Sequence, residues 1–296
     1  MQLPLRMERT DIMINETIDL YGYFGQVRNS QTGGNLTCWV QQTPVEVSPC
    51  RKRPAILILP GGGYNHTSPR EAEPVALRFA ALGYAAFVLR YSCAPSRFPV
   101  ALREAAMAMT YIRQNATQFE IDPHMVAAIG FSAGGHLCGC LGTLYDSPEV
   151  ADLGTGEQIR PDALGLCYPV AVSWGRTHEG SFEDLTGGDA ALRQRLSLDR
   201  LVRPDMPPAF VWHTRDDATV PCRNSLILAQ AMEEAGVDFS LHVYRKGKHG
   251  LSTADSMVYP VYDLPRISWD VPGWLEACAG FFREIGFAVT DKEERL

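Results

Sequence analysis

The stretch Gly130-Phe131-Ser132-Ala133-Gly134 constrains the fold of this chain more than any other. An unbroken apolar run, Val126-Ala127-Ala128-Ile129, leads into it, and small residues suited to a helix follow it. A strand that turns at once into a helix forces the turning residue into a strained backbone conformation. Glycines flank such a turn because larger side chains would collide there. The turn presents Ser132 at the edge of a sheet, on a helix N-terminus, where negative charge is favoured. Ser132 is therefore a candidate nucleophile, and its placement calls for strands that alternate with helices.

The rest of the chain shows that alternation. Residues 55–59 form an unbroken apolar run, as expected for a central strand of a parallel sheet. Further strands are predicted over 85–91, 164–170, 209–213 and 239–244. Helices are predicted over 71–82, 102–119, 225–235 and 271–285, from apolar residues at helical spacing and glycine stops. Ahead of them, 18–24 and 36–42 read as an antiparallel strand pair joined through 32–35. The order predicts a mostly parallel central sheet flanked by helices on both faces, in a single domain over 1–296. Residues 1–50 hold N-terminal strands, and 173–206, rich in Gly, Asp and Arg, form a small cap-like insertion.

Bulk properties narrow the function classes. The 296 residues are 46% hydrophobic and 21% charged, ordinary for a globular protein, with a net charge of −7 and no basic stripe to neutralise phosphates. Nucleic-acid binding is not expected. No window approaches the roughly 20 apolar residues of a membrane span, so no membrane partner is expected either. The eight cysteines lie mostly in apolar runs and read as free buried thiols. Cys138 and Cys140 lack further ligands at zinc spacing, and no metal site is predicted. Free thiols and an N-terminus without a signal-peptide core predict a cytoplasmic protein.

A serine hydroxyl needs a base within hydrogen-bond reach, and the base needs an orienting carboxylate. Two carboxylates, Asp216 and Asp217, follow the predicted strand 209–213. Asp217 is the preferred acid, and Asp216 is an alternative that could instead cap the loop. The base candidate is His249, on a glycine-flanked loop after the last strand. His213 and His242 lie within strands and read as packed side chains. Attack on an acyl carbonyl creates an oxyanion that fixed backbone N–H groups must stabilise. Pro60-Gly61-Gly62-Gly63-Tyr64 follows the strand 55–59. Gly62 and Gly63 are the candidate donors there, with Ala133 as the third. No Gly-Lys-Ser/Thr ends that run, so it does not read as a phosphate loop. Tyr64 and His66 are candidates for substrate contact. Trp174 and Trp269 are candidates for stacking on a sugar ring, with core packing as the alternative.

With these motifs in place, the chain resembles the α/β-hydrolase superfamily. More closely, it is similar to the esterase branch that holds the hormone-sensitive-lipase group and bacterial acetyl-xylan and feruloyl esterases. The resemblance runs over 53–286. Besides the segments above, it is carried by Ser68-Pro69-Arg70-Glu71-Ala72-Glu73-Pro74, Tyr91-Ser92, Pro207-Pro208 and Trp212-His213-Thr214. The lipase group has a histidine where this chain has Pro60; the proline form belongs to the carbohydrate-esterase-like branch. The resemblance implies an α/β-hydrolase fold and a two-step ester hydrolysis through an acyl-enzyme, without a cofactor. The implied substrate is a small-molecule or oligosaccharide ester carrying a short acyl group, such as acetylated xylan. A prolyl-oligopeptidase-like serine peptidase and a catalytically silent binding protein are the alternatives.

Overall fold

The structure is a computed structural model that describes residues 13–28, 33–44, 46–48 and 51–291. Its strands are β1 (Met13–Ile14), β2 (Thr17–Asp19), β3 (Asn35–Gln41), β4 (Arg53–Leu59), β5 (Ala85–Arg90), β6 (Ile121–Phe131), β7 (Ala163–Cys167), β8 (Ala209–Thr214) and β9 (Phe239–Tyr244). They form one sheet in the order β1-β3-β5-β4-β6-β7-β8-β9, with β2 paired to β3. The strands from β4 to β9 run parallel, and β3 is antiparallel to β5 at one edge.

The main helices are α1 (Leu20–Phe24), α2 (Glu73–Ala81), α3 (Val100–Gln114), α4 (Ala133–Thr143), α5 (Gly156–Ile159), α6 (Glu179–Thr186), α7 (Ala190–Arg195), α8 (Leu198–Leu201), α9 (Arg223–Glu234) and α10 (Trp274–Glu284). All seven residues of β4 are buried, yet alternate side chains serve different cores. Ala55, Leu57 and Leu59 pack with Ala105, Met109 and Ile112 of α3. Ile56 and Ile58 pack with Val75 and Phe79 of α2 and with Trp274, Cys278 and Phe282 of α10. Each fully buried aliphatic side chain contributes about 2 kcal/mol. A one-residue slip would exchange the two sets, so the register is strongly specified.

Three expected elements differ from those found. The strand foreseen over 18–24 is only β2, and Leu20–Phe24 form a helical turn instead. Asp19 caps that turn by accepting the Tyr21 N–H, and Gly25, at φ +63°, ends it. These local caps outweigh the β-prone side chains. The foreseen helix 102–119 ends at Gln114, and Phe119 reaches the core through a turn. The strand foreseen to residue 170 stops at Cys167, where Tyr168 takes φ +37°.

Going along the sheet, the chain moves from β4 to β5 in one direction and from β6 to β7 in the other. The neighbouring strands β4 and β6 therefore flank a switch point, and such crevices at carboxyl strand ends hold ligands. Leu59 pairs with Gly130 in register, so the Pro60–Tyr64 loop and Ser132 leave the sheet side by side. In the connection from β7 to β8, α6, α7 and α8 occupy most of 173–206. Among the described residues no helix is long and apolar enough to cross a membrane.

Candidate active site

Ser132 sits between β6 and α4 at φ +55° and ψ −118°, a sparsely populated conformation that costs about 1–3 kcal/mol. Its backbone is pinned on both sides. The Ser132 N–H donates to Cys167 O at 3.0 Å, and its carbonyl accepts from His136 and Val170, each at 3.1 Å.

The structure brings His249 and Asp217 to this serine. His249 Nε2 lies 2.8 Å from Ser132 Oγ, and His249 Nδ1 lies 2.6 Å from Asp217 Oδ2. An ionised carboxylate only accepts, so Nδ1 carries the proton and Nε2 is free to accept from the serine hydroxyl. Asp217 Oδ1 accepts the Thr219 and Val220 N–H groups, both at 2.9 Å. Burial alone would raise the Asp217 pKa. Hydrogen bonds from His213 and His249, the charge of His249 and the Val220 N–H outweigh burial and hold the carboxyl well below the usual range. Asp217 thus stays an anion that can stabilise a protonated imidazole.

Asp216 points elsewhere. Its Oδ1 accepts the Gly247 N–H at 2.7 Å, tying β8 to the loop that carries His249. Thr214 Oγ1 donates to Gly247 O at 2.6 Å and closes the same tie. His213 is fully buried. Its Nε2 donates to Val220 O at 2.8 Å and lies 3.5 Å from Asp217 Oδ2, and Ser225 Oγ donates to its Nδ1 at 2.8 Å.

After β4, Gly62 takes φ +128°, and a Cβ there would lie 2.1 Å from His66 O. Only glycine fits. The Gly61 N–H is taken by Glu71 Oε2 at 2.9 Å. Among the described residues no hydrogen bond occupies the N–H of Gly62, Gly63 or Ala133. Gly62 and Gly63 line the pocket that holds Ser132, and Ala133 opens α4 behind it.

The pocket has a volume of about 360 Å³. Asn65, His66, Arg70, His178, Asp184 and Thr219 contribute to its wall, which is built from polar residues and glycines and includes no large apolar side chain. His66 is thus at the site. Tyr64 is not: its ring is buried, and its hydroxyl lies 2.8 Å from His136 Nδ1. His136 Nε2 must donate to Leu196 O at 2.7 Å, so Nδ1 accepts and the Tyr64 hydroxyl donates. Tyr64 takes φ +62°, and its ring faces the core. Trp174 and Trp269 also lie off the pocket. Trp174 Nε1 donates to Asp199 at 3.0 Å, its ring lies under the Arg223 guanidinium, and Trp269 is 92% exposed. Neither tryptophan is core-packed as the alternative reading held.

Sequence reasoning missed a buried carboxylate that joins the site's loops. Glu71 accepts the Gly61 N–H with one oxygen and the Tyr168 hydroxyl at 2.7 Å with the other, and Tyr168 Oη accepts the Ser252 N–H at 2.8 Å. The Tyr168 ring meets the His249 ring edge-on at 5.1 Å. Its only signal in the sequence is an acidic residue after Ser68-Pro69-Arg70, in a stretch that reads as a helix start. Among the described residues no group of three or more His, Cys, Asp or Glu could hold a metal ion. Cys38, Cys93, Cys138, Cys140, Cys167, Cys222 and Cys278 are free and buried, and Cys50 lies outside the described residues.

Comparison with known proteins places this geometry. A family model described as BD-FAE matches residues 46–159, and the prolyl oligopeptidase family matches residues 170–264. An acetyl ester-xyloside bifunctional hydrolase from Caldicellulosiruptor lactoaceticus is 34% identical, with a TM-score of 0.78 over 92% of this chain and 97% of its own. An α/β hydrolase enzyme from a Medee basin deep-sea metagenome library is also 34% identical, with a TM-score of 0.72 over 92% and 98%. The acetylxylan esterase of Xylanibacter ruminicola is 29% identical over 75% of this chain and 45% of its own length. This chain spans 33% to 48% of the length of three curated relatives that it matches.

Proposed function

The chain belongs to the α/β-hydrolase superfamily, among its carboxylic ester hydrolases, and from that premise we propose that it removes short acyl groups, acetyl above all, from acetylated xylan fragments. The observation that carries this reading is the unbroken hydrogen-bond chain from Ser132 through His249 to Asp217, opening on a small pocket without large apolar side chains.

In this reading His249 Nε2 takes the proton as Ser132 Oγ attacks the acyl carbonyl, and Asp217 stabilises the imidazolium. The developing oxyanion lies against the N–H groups of Gly62, Gly63 and Ala133, at the positive end of α4. His249 returns the proton to the leaving alcohol. Water, deprotonated by the same ring, then cleaves the acyl-enzyme to carboxylic acid and free Ser132. The helices within 173–206 serve as a small cap over the leaving-group side.

Pocket size and the residues that line it support the acyl preference. A long acyl chain gains about 0.8 kcal/mol per buried methylene, and this pocket offers no large apolar side chain to bury one against. The match to the prolyl oligopeptidase family favours one second reading, a peptidase with the same three residues. Rates on p-nitrophenyl acetate, butyrate and octanoate, set beside an aminoacyl p-nitroanilide, test both. The esterase reading expects acetate to be cleaved fastest and the anilide not at all. A preference for octanoate, or turnover of the anilide above that of acetate, overturns it.

A further inference from the structure

The segment 173–206 contributes two side chains to the pocket wall, His178 and Asp184, and neither has a role in the steps above. His178 caps α6. Its Nδ1 accepts the Ser181 N–H at 3.2 Å and lies 2.8 Å from Ser181 Oγ. A ring nitrogen that accepts from a backbone N–H carries no proton, so the proton is on Nε2. Burial, and then the charge of His249, keep the His178 pKa below its ordinary value against the opposing charges of Asp184, Asp217 and Glu179. The result is one oriented donor with no partner among the described residues. The ring's Cε1 lies 3.6 Å from where a Cβ on Gly63 would stand, which puts the imidazole beside the candidate oxyanion loop.

Asp184 follows on the same helix. It is a partly buried carboxylate in the pocket wall, with no ion pair or hydrogen bond among the described residues. The pocket's other carboxylate, Glu71, is already engaged by Gly61 and Tyr168. An unpaired polar group in a partly desolvated wall costs free energy unless a ligand satisfies it. One helix therefore offers a pure donor and a pure acceptor to whatever alcohol is attached to the acyl group. A hydroxyl can both donate and accept, and neighbouring sugar hydroxyls can engage both groups at once. An ammonium group would satisfy Asp184 but leave the His178 donor unmet.

We propose that His178 and Asp184 are specificity-determining residues that grip the alcohol half of the ester, His178 Nε2–H donating to one sugar hydroxyl and Asp184 accepting from another. The proposal rests on the esterase reading above and deepens it by assigning a polyol leaving group to these two residues.

The test compares wild type with Asp184→Ala and with His178→Asn, since asparagine keeps a helix cap but lacks the distal donor. Each is assayed on p-nitrophenyl acetate, whose leaving group has no free hydroxyl. Each is then assayed on acetylated xylo-oligosaccharide, glucose acetate, glycerol acetate and acetylcholine. Each substitution is expected to lower kcat/KM on the polyol acetates at least tenfold more than on p-nitrophenyl acetate. Thermal melts verify folding, and inhibition of p-nitrophenyl acetate turnover by unacetylated xylobiose gives a second readout, expected to weaken in both variants. Equal losses on all substrates, or no loss, overturn the proposal. So does a wild type that prefers acetylcholine and loses that preference in Asp184→Ala. A wild type that cleaves glucose and glycerol acetates but not the xylo-oligosaccharide ester defeats the xylan assignment, while the selective losses on those polyols still support the grip.

Discussion

Two hollows sit at opposite ends of the central strands: the pocket of about 360 Å³ at the carboxyl ends of β4 and β6, and a hollow of about 1080 Å³ at the amino ends of β6 and β7. The larger one is knitted shut in its chemistry. Arg113 pairs with Asp162 at 3.1 Å and donates to the Gln158 and Arg160 carbonyls, while the Arg160 guanidinium donates twice to Asp205 O. The smaller one keeps polar groups open and strained backbone around it. Of the six described non-glycine residues with positive φ, Tyr64, Ser132, Tyr168 and Ser252 lie in its loops or in the segments that brace them. Strain and unsatisfied polarity mark a working site where volume does not.

The sharpest way to break this contrast is to substitute at each end. Ser132→Ala is expected to reduce kcat on p-nitrophenyl acetate by at least about 10⁴-fold and to abolish fluorophosphonate labelling, with the melting temperature nearly unchanged. Arg113→Ala at the other end should do the reverse, lowering stability by about 2 kcal/mol while leaving kcat/KM as it was. Turnover that survives in Ser132→Ala removes that serine from the chemistry.

A smaller effect is expected from Glu71→Gln. An amide offers one acceptor where Gly61 and Tyr168 present two donors, so one tie between the loops is lost. We expect kcat to fall about tenfold with KM little altered, as for a residue that positions others. A change in KM alone would instead make Glu71 a substrate contact.

The mildest effect is on stability against pH. Burial pulls the His136 pKa down from 6.5 to about 4, despite its hydrogen bond to Leu196. Between those values only the unfolded chain takes up the proton. The stabilising contribution is complete above the unfolded value and is lost as pH falls towards the folded one, by on the order of 3 kcal/mol. Because His136 links Tyr64 of the glycine loop to Leu196 of the 173–206 segment, the loss falls at the site end of the molecule. Thermal melts between pH 7 and pH 4.5 should show the decline, and His136→Gln should flatten part of it. An unchanged slope in that variant assigns the decline to other groups.

Much of this was legible in the amino-acid order. The apolar runs fixed which segments become central strands, because burial on both faces demands it. The pentapeptide at 130–134 and the glycines at 61–63 marked where backbone must bend tightly or approach closely, and these are local properties of glycine and of a strand-to-helix turn. The same local reasoning misread 18–24, where an aspartate cap and a glycine stop made a helical turn from β-prone residues.

Other features depended on through-space neighbours. The sequence preferred Asp217 but left Asp216 open; the fold turned Asp216 to the Gly247 amide and Asp217 to His249. Nothing local turns Tyr64 inward, leaves Trp269 in solvent, or sends Glu71 to Tyr168 across 97 residues of chain. Periodicity and turn chemistry are written in adjacent residues, so the sequence determined the elements and the order of the reactive groups. Which side chains meet depends on how distant loops converge over a shared sheet edge, and only the tertiary structure decided that.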